Sequence, residues 1–413
     1  MKFSWLSNSP WAPTGYGDQT NQILPRLKAA GHDPALIAFY GLQGGALNWK
    51  GMPILPAGML PYGQDIGAAH TKNFGAKYIF TLVDAWVFNN SPFFESLQKE
   101  KIRWIPYFPI DSEPLPVAVR FAVERAYRRI VFSKFGAAMM DNEGLDYTYI
   151  PHSVETDILK PQDKAESLDM MYKQGINLPA DAFIVGMVAA NKGNPSRKAF
   201  TQQIEAFARF KAKHSDAVLY IHTSSGVNGE YGGVNLPEFC DYLGLKVKQD
   251  VFFPDAYGYF MGYPKSYLAN IYSVMDVHLL ASTGEGFGIP IVEAQACGTP
   301  VIVGDWTATG ELCFSGWKIP KSESEPVWTP VAAFQFTPRV GAVVDALEQA
   351  YRYKGNPQYR TKARVGALEY DADKVVNNYW LPFLEQLEGD DIAAEAEIQN
   401  ARQMAGKRIN VNA

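Results

Sequence analysis

The sequence has few cysteines, no excess of positive charge and no long apolar run. Its three cysteines lack the CxxC spacing of a zinc ribbon and indicate no disulfide framework. No window approaches the roughly 18 consecutive apolar residues that a membrane-spanning helix needs. The N-terminus also lacks an apolar run of signal-peptide length. These absences predict a protein of the cytoplasm.

Charge and histidine spacing weigh against two further classes. The formal net charge is −5 at pH 7, so the strongly basic balance typical of nucleic-acid-binding proteins is absent. The six histidines show neither HxxH nor HExxH spacing, and we predict no metal site. Asp371 and Asp373 form a DxD sequence, which we interpret as a helix N-cap rather than as metal ligands.

One stretch of the sequence is locally basic. Between Lys101 and Lys134 there are seven lysines and arginines against three acidic residues. One interpretation is a patch from Arg120 to Lys134 that contacts an anionic membrane or an acceptor. The other is a solvated helix face, and the sequence leaves both open.

Strand patterns alternate with helical patterns along the chain. A first series runs from residues 3–7 to 147–150, and a second begins at 183–189 after a break near 151–175. This alternation predicts an α/β fold with two doubly wound units, each a parallel sheet wrapped by helices. In the first unit we expect a loop at 8–17 and a helix at 20–30. Pro25 either kinks this helix or marks a later start of it.

A glycine-rich loop at 284–288 carries the most information. It stands between a strand pattern and a short helix pattern in which Pro290 fits the first position. A glycine loop followed by a helix N-terminus forms an anion site, and a diphosphate is its natural ligand. Glu285 and Glu293 fit hydroxyl groups on either side of that diphosphate. The alternative, a helix cap and a surface charge, leaves the Gly-Phe-Gly sequence unexplained.

The segment around this loop resembles a known family. The sequence EGFGIPIVE, Glu285 to Glu293, resembles the E-x7-E motif of retaining GT-B glycosyltransferases of the GT4-like group, the glycosyl transferases group 1. The sequences AQACGTPVI at 294–302 and GEL at 310–312 continue as in that family. YIPHSVETD at 149–157 resembles its interdomain stretch, and PTGYG at 13–17 resembles its glycine loop after the first strand.

The resemblance implies a GT-B fold of two Rossmann-like domains that face each other across a cleft. Residues 1–155 would form the acceptor-side domain and 165–370 the nucleotide-sugar-binding domain. Residues 371–413 would form helices that cross back and pack on the first domain.

The resemblance also implies roles for the residues of the loops. Glu285 would contact sugar hydroxyls and Glu293 the nucleotide ribose. The backbone groups that hold phosphate and sugar would belong to Gly286, Phe287, Gly288 and Ile289. Gly15 and Gly17 would approach the phosphates or the acceptor, with turn geometry as the alternative explanation.

Charged groups outside the glycine-rich loop follow by the same resemblance. Lys198 matches the lysine that binds the donor phosphate. The usual upstream arginine is replaced by Asn191, so either Asn191 or Arg197 would take its place. Asp111 occupies the position of a histidine in many relatives. It would hold an acceptor or sugar hydroxyl, or else cap the following helix.

The implied reaction is transfer of a sugar from a nucleotide diphosphate sugar, UDP- or GDP-linked, to a hydroxyl acceptor with retention of configuration. The acceptor would be a saccharide, a lipid or a small molecule, and the leaving phosphate would take its proton in a front-face attack. Three alternatives stay open. They are a nucleotide-sugar hydrolase or epimerase of the same fold, a donor-binding scaffold without turnover, and a glycosyltransferase that modifies a nucleic acid.

Overall fold

The computed structural model describes residues 1–227 and 232–410. The first of its sheets has eight strands in the order β3-β4-β2-β1-β5-β6-β7-β8. All neighbouring strands are parallel except the antiparallel pair β3 and β4. The strands are β1 (Lys2–Asn8), β2 (Asp33–Tyr40), β3 (Leu47–Trp49), β4 (Met52–Pro56), β5 (Tyr78–Leu82), β6 (Arg103–Phe108), β7 (Ile130–Val131) and β8 (Thr148–Tyr149).

Helices alternate with these strands. They are α1 (Gly15–Ala29), α2 (Gly67–Phe74), α3 (Phe93–Glu100), α4 (Val117–Val123) and α5 (Lys134–Asn142), with a 3₁₀ turn at Ala85–Phe88. Every residue of β5 is buried, as expected for a central strand of a parallel sheet that is covered on both faces.

The second sheet has six parallel strands in the order β11-β10-β9-β12-β13-β14. They are β9 (Phe183–Val188), β10 (Ala217–His222), β11 (Val251–Phe252), β12 (Val277–Leu280), β13 (Val301–Gly304) and β14 (Gly316–Ile319). An antiparallel hairpin of β15 (Ser324–Trp328) and β16 (Phe334–Pro338) follows. The α/β class with two doubly wound sheets is confirmed.

Helices surround the second sheet and continue beyond it. They are α6 (Lys164–Lys173), α7 (Phe200–Lys211), α8 (Leu236–Tyr242), α9 (Ala256–Met261), α10 (Lys265–Val274), α11 (Ile289–Ala296), α12 (Val340–Arg352), α13 (Pro357–Ala367), α14 (Ala372–Val375) and α15 (Leu381–Asn410). Short 3₁₀ turns occur at Gly310–Leu312, Lys321–Glu323 and Leu368–Tyr370, and a π-helical turn at Val376–Trp380. In the described ranges no helix is both long and apolar enough to cross a membrane.

Helix α1 begins earlier than the sequence predicts. The predicted loop at 8–17 is wrong at its end, because the helix starts at Gly15. The side chain of Thr14 caps it by accepting a hydrogen bond from the Gly17 N–H. Pro25 lies inside the helix. The first turn of α1 therefore points its free N–H groups out of the carboxyl edge of the first sheet.

The segment that follows α13 lies against the first sheet. The Trp380 ring is fully buried, with its centroid 5.5 Å from that of Trp5 on β1 and 5.2 Å from that of Tyr107 on β6. Polar contacts extend this packing, because Arg128 pairs with Asp390 at 2.8 Å. The segment thus joins the end of the chain to the face of the first sheet.

Removing the Trp380 ring should therefore destabilise the protein strongly. We expect Trp380→Ala to lower the free energy of unfolding by about 3–5 kcal/mol, because it leaves a cavity among the aromatic rings. Trp328→Ala is the matched control, since the Trp328 side chain is largely exposed on the hairpin. Denaturant unfolding followed by circular dichroism measures both. Equal losses for the two variants would contradict this packing account.

Candidate functional site

The glycine-rich loop lies between β12 and α11 and contacts the first domain. A Cβ atom at Gly286 would lie 2.5 Å from the Cβ of Pro109, and one at Gly284 would lie 2.3 Å from the carbonyl oxygen of Asp111. Gly288 has a φ of 109°, which favours glycine. Helix α11 starts at Ile289, so Pro290 is its second residue and not its first. The loop and the helix N-terminus thus line the cleft between the sheets.

The carboxylate of Glu285 is buried and holds two cations. Its Oε2 accepts a hydrogen bond from Arg197 Nη1 at 3.0 Å, and its Oε1 is paired with Lys198 Nζ. Burial alone would raise the pKa of Glu285, but Arg197 and Lys198 outweigh it and lower that pKa to about 2. Glu285 is therefore ionised at neutral pH.

Arg197 and Lys198 reach this carboxylate from the connection between β9 and α7. Arg197 also donates to the carbonyl oxygen of Gly284, and its Nη1 lies 3.7 Å from Oδ2 of Asp111 in the first domain. Burial lowers the pKa of Lys198, whereas Glu285 acts to raise it. The two cations, Glu285 and Asp111 are thus brought together at one point of the cleft.

Asn191 does not lie free in this group. Its side-chain amide donates to the carbonyl oxygens of Val234, at 2.8 Å, and Ser224, at 3.2 Å. Its Oδ1 accepts from the Val234 N–H at 3.0 Å. Because these bonds occupy the amide, Asn191 anchors a loop, and the expectation that it contacts the donor is corrected. Arg197 is the residue that stands beside Lys198.

Glu293 belongs to a second buried group of charges. Its Oε2 accepts a hydrogen bond from the Tyr272 hydroxyl at 2.8 Å. Burial raises the pKa of Glu293 to about 7, while Lys265 lowers it and Asp18 raises it. Lys265 Nζ pairs with Oδ1 of Asp18 at 2.5 Å and lies 3.5 Å from Oε2 of Glu155. No sequence pattern pointed to these partners, because only the fold brings α1 and α10 to α11.

The two glycines near the start of α1 differ in their surroundings. A Cβ atom at Gly15 would lie 3.2 Å from Cδ1 of Ile289, so Gly15 faces α11 across the cleft. A Cβ atom at Gly17 would lie 2.5 Å from the carbonyl oxygen of Ala12 and 2.8 Å from that of Ser9. The packing of its own loop therefore requires a glycine at position 17. This agrees with the alternative explanation by turn geometry.

Two carboxylates stand on the first-domain side of the cleft. Asp111 follows β6, and Asp84 follows β5, the neighbouring strand. Burial and the nearby Asp111 carboxylate together raise the pKa of Asp84 to about 6, although Arg197 acts to lower it. Burial, together with the same two carboxylates, also raises the pKa of the Tyr16 hydroxyl on α1. Sequence reasoning missed Asp84, although an acid directly after a buried parallel strand is a signal for a site.

Glu311 joins the domains at another point. Its two carboxylate oxygens accept hydrogen bonds from the backbone N–H groups of Lys134 and Phe135, each at 2.9 Å. The side chain of Ser133 accepts from the N–H of Gly136. The N-terminus of α5 is therefore capped by its own domain and by a carboxylate from the other one.

The remaining sequence predictions concern metals and the basic stretch. Asp371 accepts from the N–H groups of Asp373 and Lys374, which is the predicted N-cap. Within 1–227 and 232–410 no cluster of three or more His, Cys, Asp and Glu side chains could hold a metal ion. Arg120 pairs with Glu124 and Glu143. This pairing favours the solvated-face interpretation, and a membrane contact stays a prediction.

The buried Glu293 should make stability depend on pH. Its pKa of about 7 in the folded state lies above the value near 4.3 of an unfolded chain. The folded protein therefore keeps this proton longer, and its stability falls as pH rises toward 7. Between pH 5 and 8 we expect wild type to lose of the order of 1–3 kcal/mol relative to Glu293→Gln. Urea unfolding at several pH values tests this, and parallel profiles would contradict it.

Part of the chain is similar in sequence to known proteins. Residues 182–326 match the family Glycosyl transferases group 1. The D-inositol 3-phosphate glycosyltransferase of Mycobacterium leprae is 24% identical over 215 residues, which are 52% of this chain and 42% of that protein. The chain thus spans less than half the length of this curated relative.

Solved structures resemble the whole described fold. Sucrose-phosphate synthase from Thermosynechococcus elongatus has a TM-score of 0.70 at 18% identity, over 95% of this chain and 100% of that one. The Anabaena protein Alr3699/HepE, solved in complex with UDP and glucose, has a TM-score of 0.65 at 16% identity, over 94% and 99%. The chain therefore has the GT-B fold, and its residues 182–326 are similar to the family Glycosyl transferases group 1.

Proposed function

We propose that this protein transfers a sugar from a nucleotide diphosphate sugar to a hydroxyl acceptor with retention of configuration. The observation that carries the proposal is the buried Glu285 carboxylate with Arg197 and Lys198 on its two oxygens. These three side chains stand beside the glycine-rich loop and the N-terminus of α11. A site with this composition offers an acceptor for sugar hydroxyls next to donors for a diphosphate.

The donor diphosphate would take the cations that Glu285 now holds. Lys198 and Arg197 carry full positive charges, and α11 adds free N–H groups at its start. Backbone groups of 286–289 would complete the phosphate and sugar contacts. Glu285 would then accept hydrogen bonds from sugar hydroxyls. No metal forms part of this proposal, because the two side chains and the helix end supply the positive charge that neutralises the diphosphate.

Glu293 would bind the nucleotide ribose at the other end of the donor. It is buried as the fifth residue of α11, and its carboxylate accepts a hydrogen bond from Tyr272. When ionised, the carboxylate can accept hydrogen bonds from both ribose hydroxyl groups. UDP is the favoured nucleotide, since the Anabaena structure of similar fold contains UDP and glucose. A GDP-linked sugar is the other donor class of the proposal.

Retention would follow from attack on the same face that the leaving group departs from. As the sugar–phosphate bond breaks, positive charge develops on the sugar, and negative charge on the phosphate is stabilised by Lys198 and Arg197. The leaving phosphate oxygen takes the acceptor proton. Asp111 would hold the acceptor hydroxyl, because it faces Arg197 from the first domain. Closure of the two domains would keep water out during the transfer.

The test is a panel of nucleotide sugars with the full-length protein in EDTA, read by nucleotide release and by product anomeric configuration in NMR spectra. We expect the protein to use a UDP- or GDP-linked sugar. If the sugar is α-linked in this donor, it should also be α-linked in the product. Release without transfer to any acceptor would instead favour the hydrolase alternative. An inverted product would contradict the proposed stereochemistry.

Lys198→Ala should lower kcat/KM for the preferred donor by about 10²–10³-fold, because it removes a charge that stabilises the leaving group. Lys173→Ala is the matched control, since Lys173 is exposed and pairs with Asp169 within α6. Initial rates of nucleotide release measure both variants. A loss of less than about threefold for Lys198→Ala would remove Lys198 from the proposed machinery.

A further inference from the structure

The first-domain side of the cleft has a definable wall. Strands β1, β5, β6 and β7 lie side by side in the first sheet, so the residues that follow them meet at one edge. We call Tyr16, Asp84, Asp111 and the N-terminus of α5 the acceptor wall. The wall faces the glycine-rich loop, because a Cβ atom at Gly286 would lie 3.3 Å from Cε2 of Phe132, just before α5.

Two carboxylates give the acceptor wall a negative charge. Asp84 and Asp111 are half-buried, and each raises the electrostatic cost of an anion nearby. Arg197 acts electrostatically on Asp84, and its Nη1 lies 3.7 Å from Oδ2 of Asp111. It comes from the other domain and is already bound to Glu285. When a donor diphosphate binds, Arg197 and Lys198 are needed there, and the wall keeps its two negative charges.

The N-terminus of α5 is the natural place on this wall for a phosphate group, because backbone N–H groups and the helix dipole favour anions there. In this protein those donors are occupied. Glu311 accepts the N–H groups of Lys134 and Phe135, and Ser133 accepts that of Gly136. At this helix end a phosphate could take the N–H groups of Lys134 and Phe135 only by displacing the Glu311 carboxylate, which also joins the two domains. This observation is independent of Asp84 and Asp111.

We propose that the acceptor is an uncharged polyhydroxyl compound, a saccharide or a polyol, and not a phosphorylated one, with Asp84 as a specificity residue. This inference rests on the proposed function. Ionised carboxylates accept hydrogen bonds and donate none. Asp84 and Asp111 therefore suit acceptor hydroxyls, which donate to them. A phosphate has negative oxygens that they repel, and the filled N-terminus of α5 offers it no alternative place.

Matched acceptor pairs test this with the full-length protein and its preferred donor. The pairs are glucose with glucose-6-phosphate and myo-inositol with inositol 1-phosphate, each followed by donor-dependent nucleotide release and by product mass. We expect the uncharged member to have at least about tenfold higher kcat/KM, since like charges in contact cost several kcal/mol. A higher kcat/KM for the phosphorylated member of either pair would overturn the inference.

A binding measurement covers the case in which neither pair is transferred. The melting temperature of the UDP-saturated protein is measured in the presence of about 10 mM of each compound, because a ligand that binds the folded state raises it. Stabilisation by a phosphorylated compound that exceeds that by its uncharged partner overturns the inference, and the reverse supports it. If no nucleotide sugar is turned over or bound at all, the proposed function fails first, which separates the two failures.

Asp84→Asn distinguishes a specificity role from a structural one. The amide keeps the shape and removes the charge, so the preference for the uncharged member should fall at least about threefold, with the KM for donor unchanged. Asp169→Asn removes the same charge from an exposed site on α6 and is the control. An equal preference in wild type and Asp84→Asn would remove Asp84 from the proposal, as would equal changes in the two variants.

Discussion

The ion pairs of Glu285 with Arg197 and Lys198 are the interaction on which the rest of the site depends. One buried carboxylate keeps two cations in place, and it would itself be costly to bury without them. It also ties the connection after β9 to the glycine-rich loop after β12. The two cations that would bind a diphosphate thus lie beside the N-terminus of α11, which would bind the same diphosphate.

The fold places this interaction where the two sheets meet. Parallel strands end at one edge, and the loops after β5, β6, β9 and β12 therefore converge on the cleft. Glu311 joins the second domain to the N-terminus of α5, and Trp380 packs the end of the chain against the face of the first sheet. Where the two domains meet, the first contributes Asp84 and Asp111, and the second contributes Arg197 and Lys198 around the carboxylate of Glu285.

Local patterns predicted the parts that depend on neighbours in sequence. The alternation of strands and helices and the glycine-rich loop were both readable, because periodicity and φ requirements are local. Asn191 was not, since its amide is taken up by Val234, which is 43 residues away. Asp84 and the Lys265 pairs with Asp18 depend on which strands and helices become neighbours. The early start of α1 depended on a cap by Thr14 that competes with the glycines' preference for a loop.

In the proposed function, Glu285 positions Arg197 and Lys198 by ion pairs until a diphosphate binds to them. Calorimetric titration of UDP into wild type and Glu285→Gln tests it most directly, because UDP has the diphosphate but lacks the transferable sugar whose hydroxyls Glu285 would bind. The account predicts tighter UDP binding by Glu285→Gln, since the neutral amide no longer competes with the diphosphate for Arg197 and Lys198. Weaker UDP binding by the variant than by wild type would contradict it.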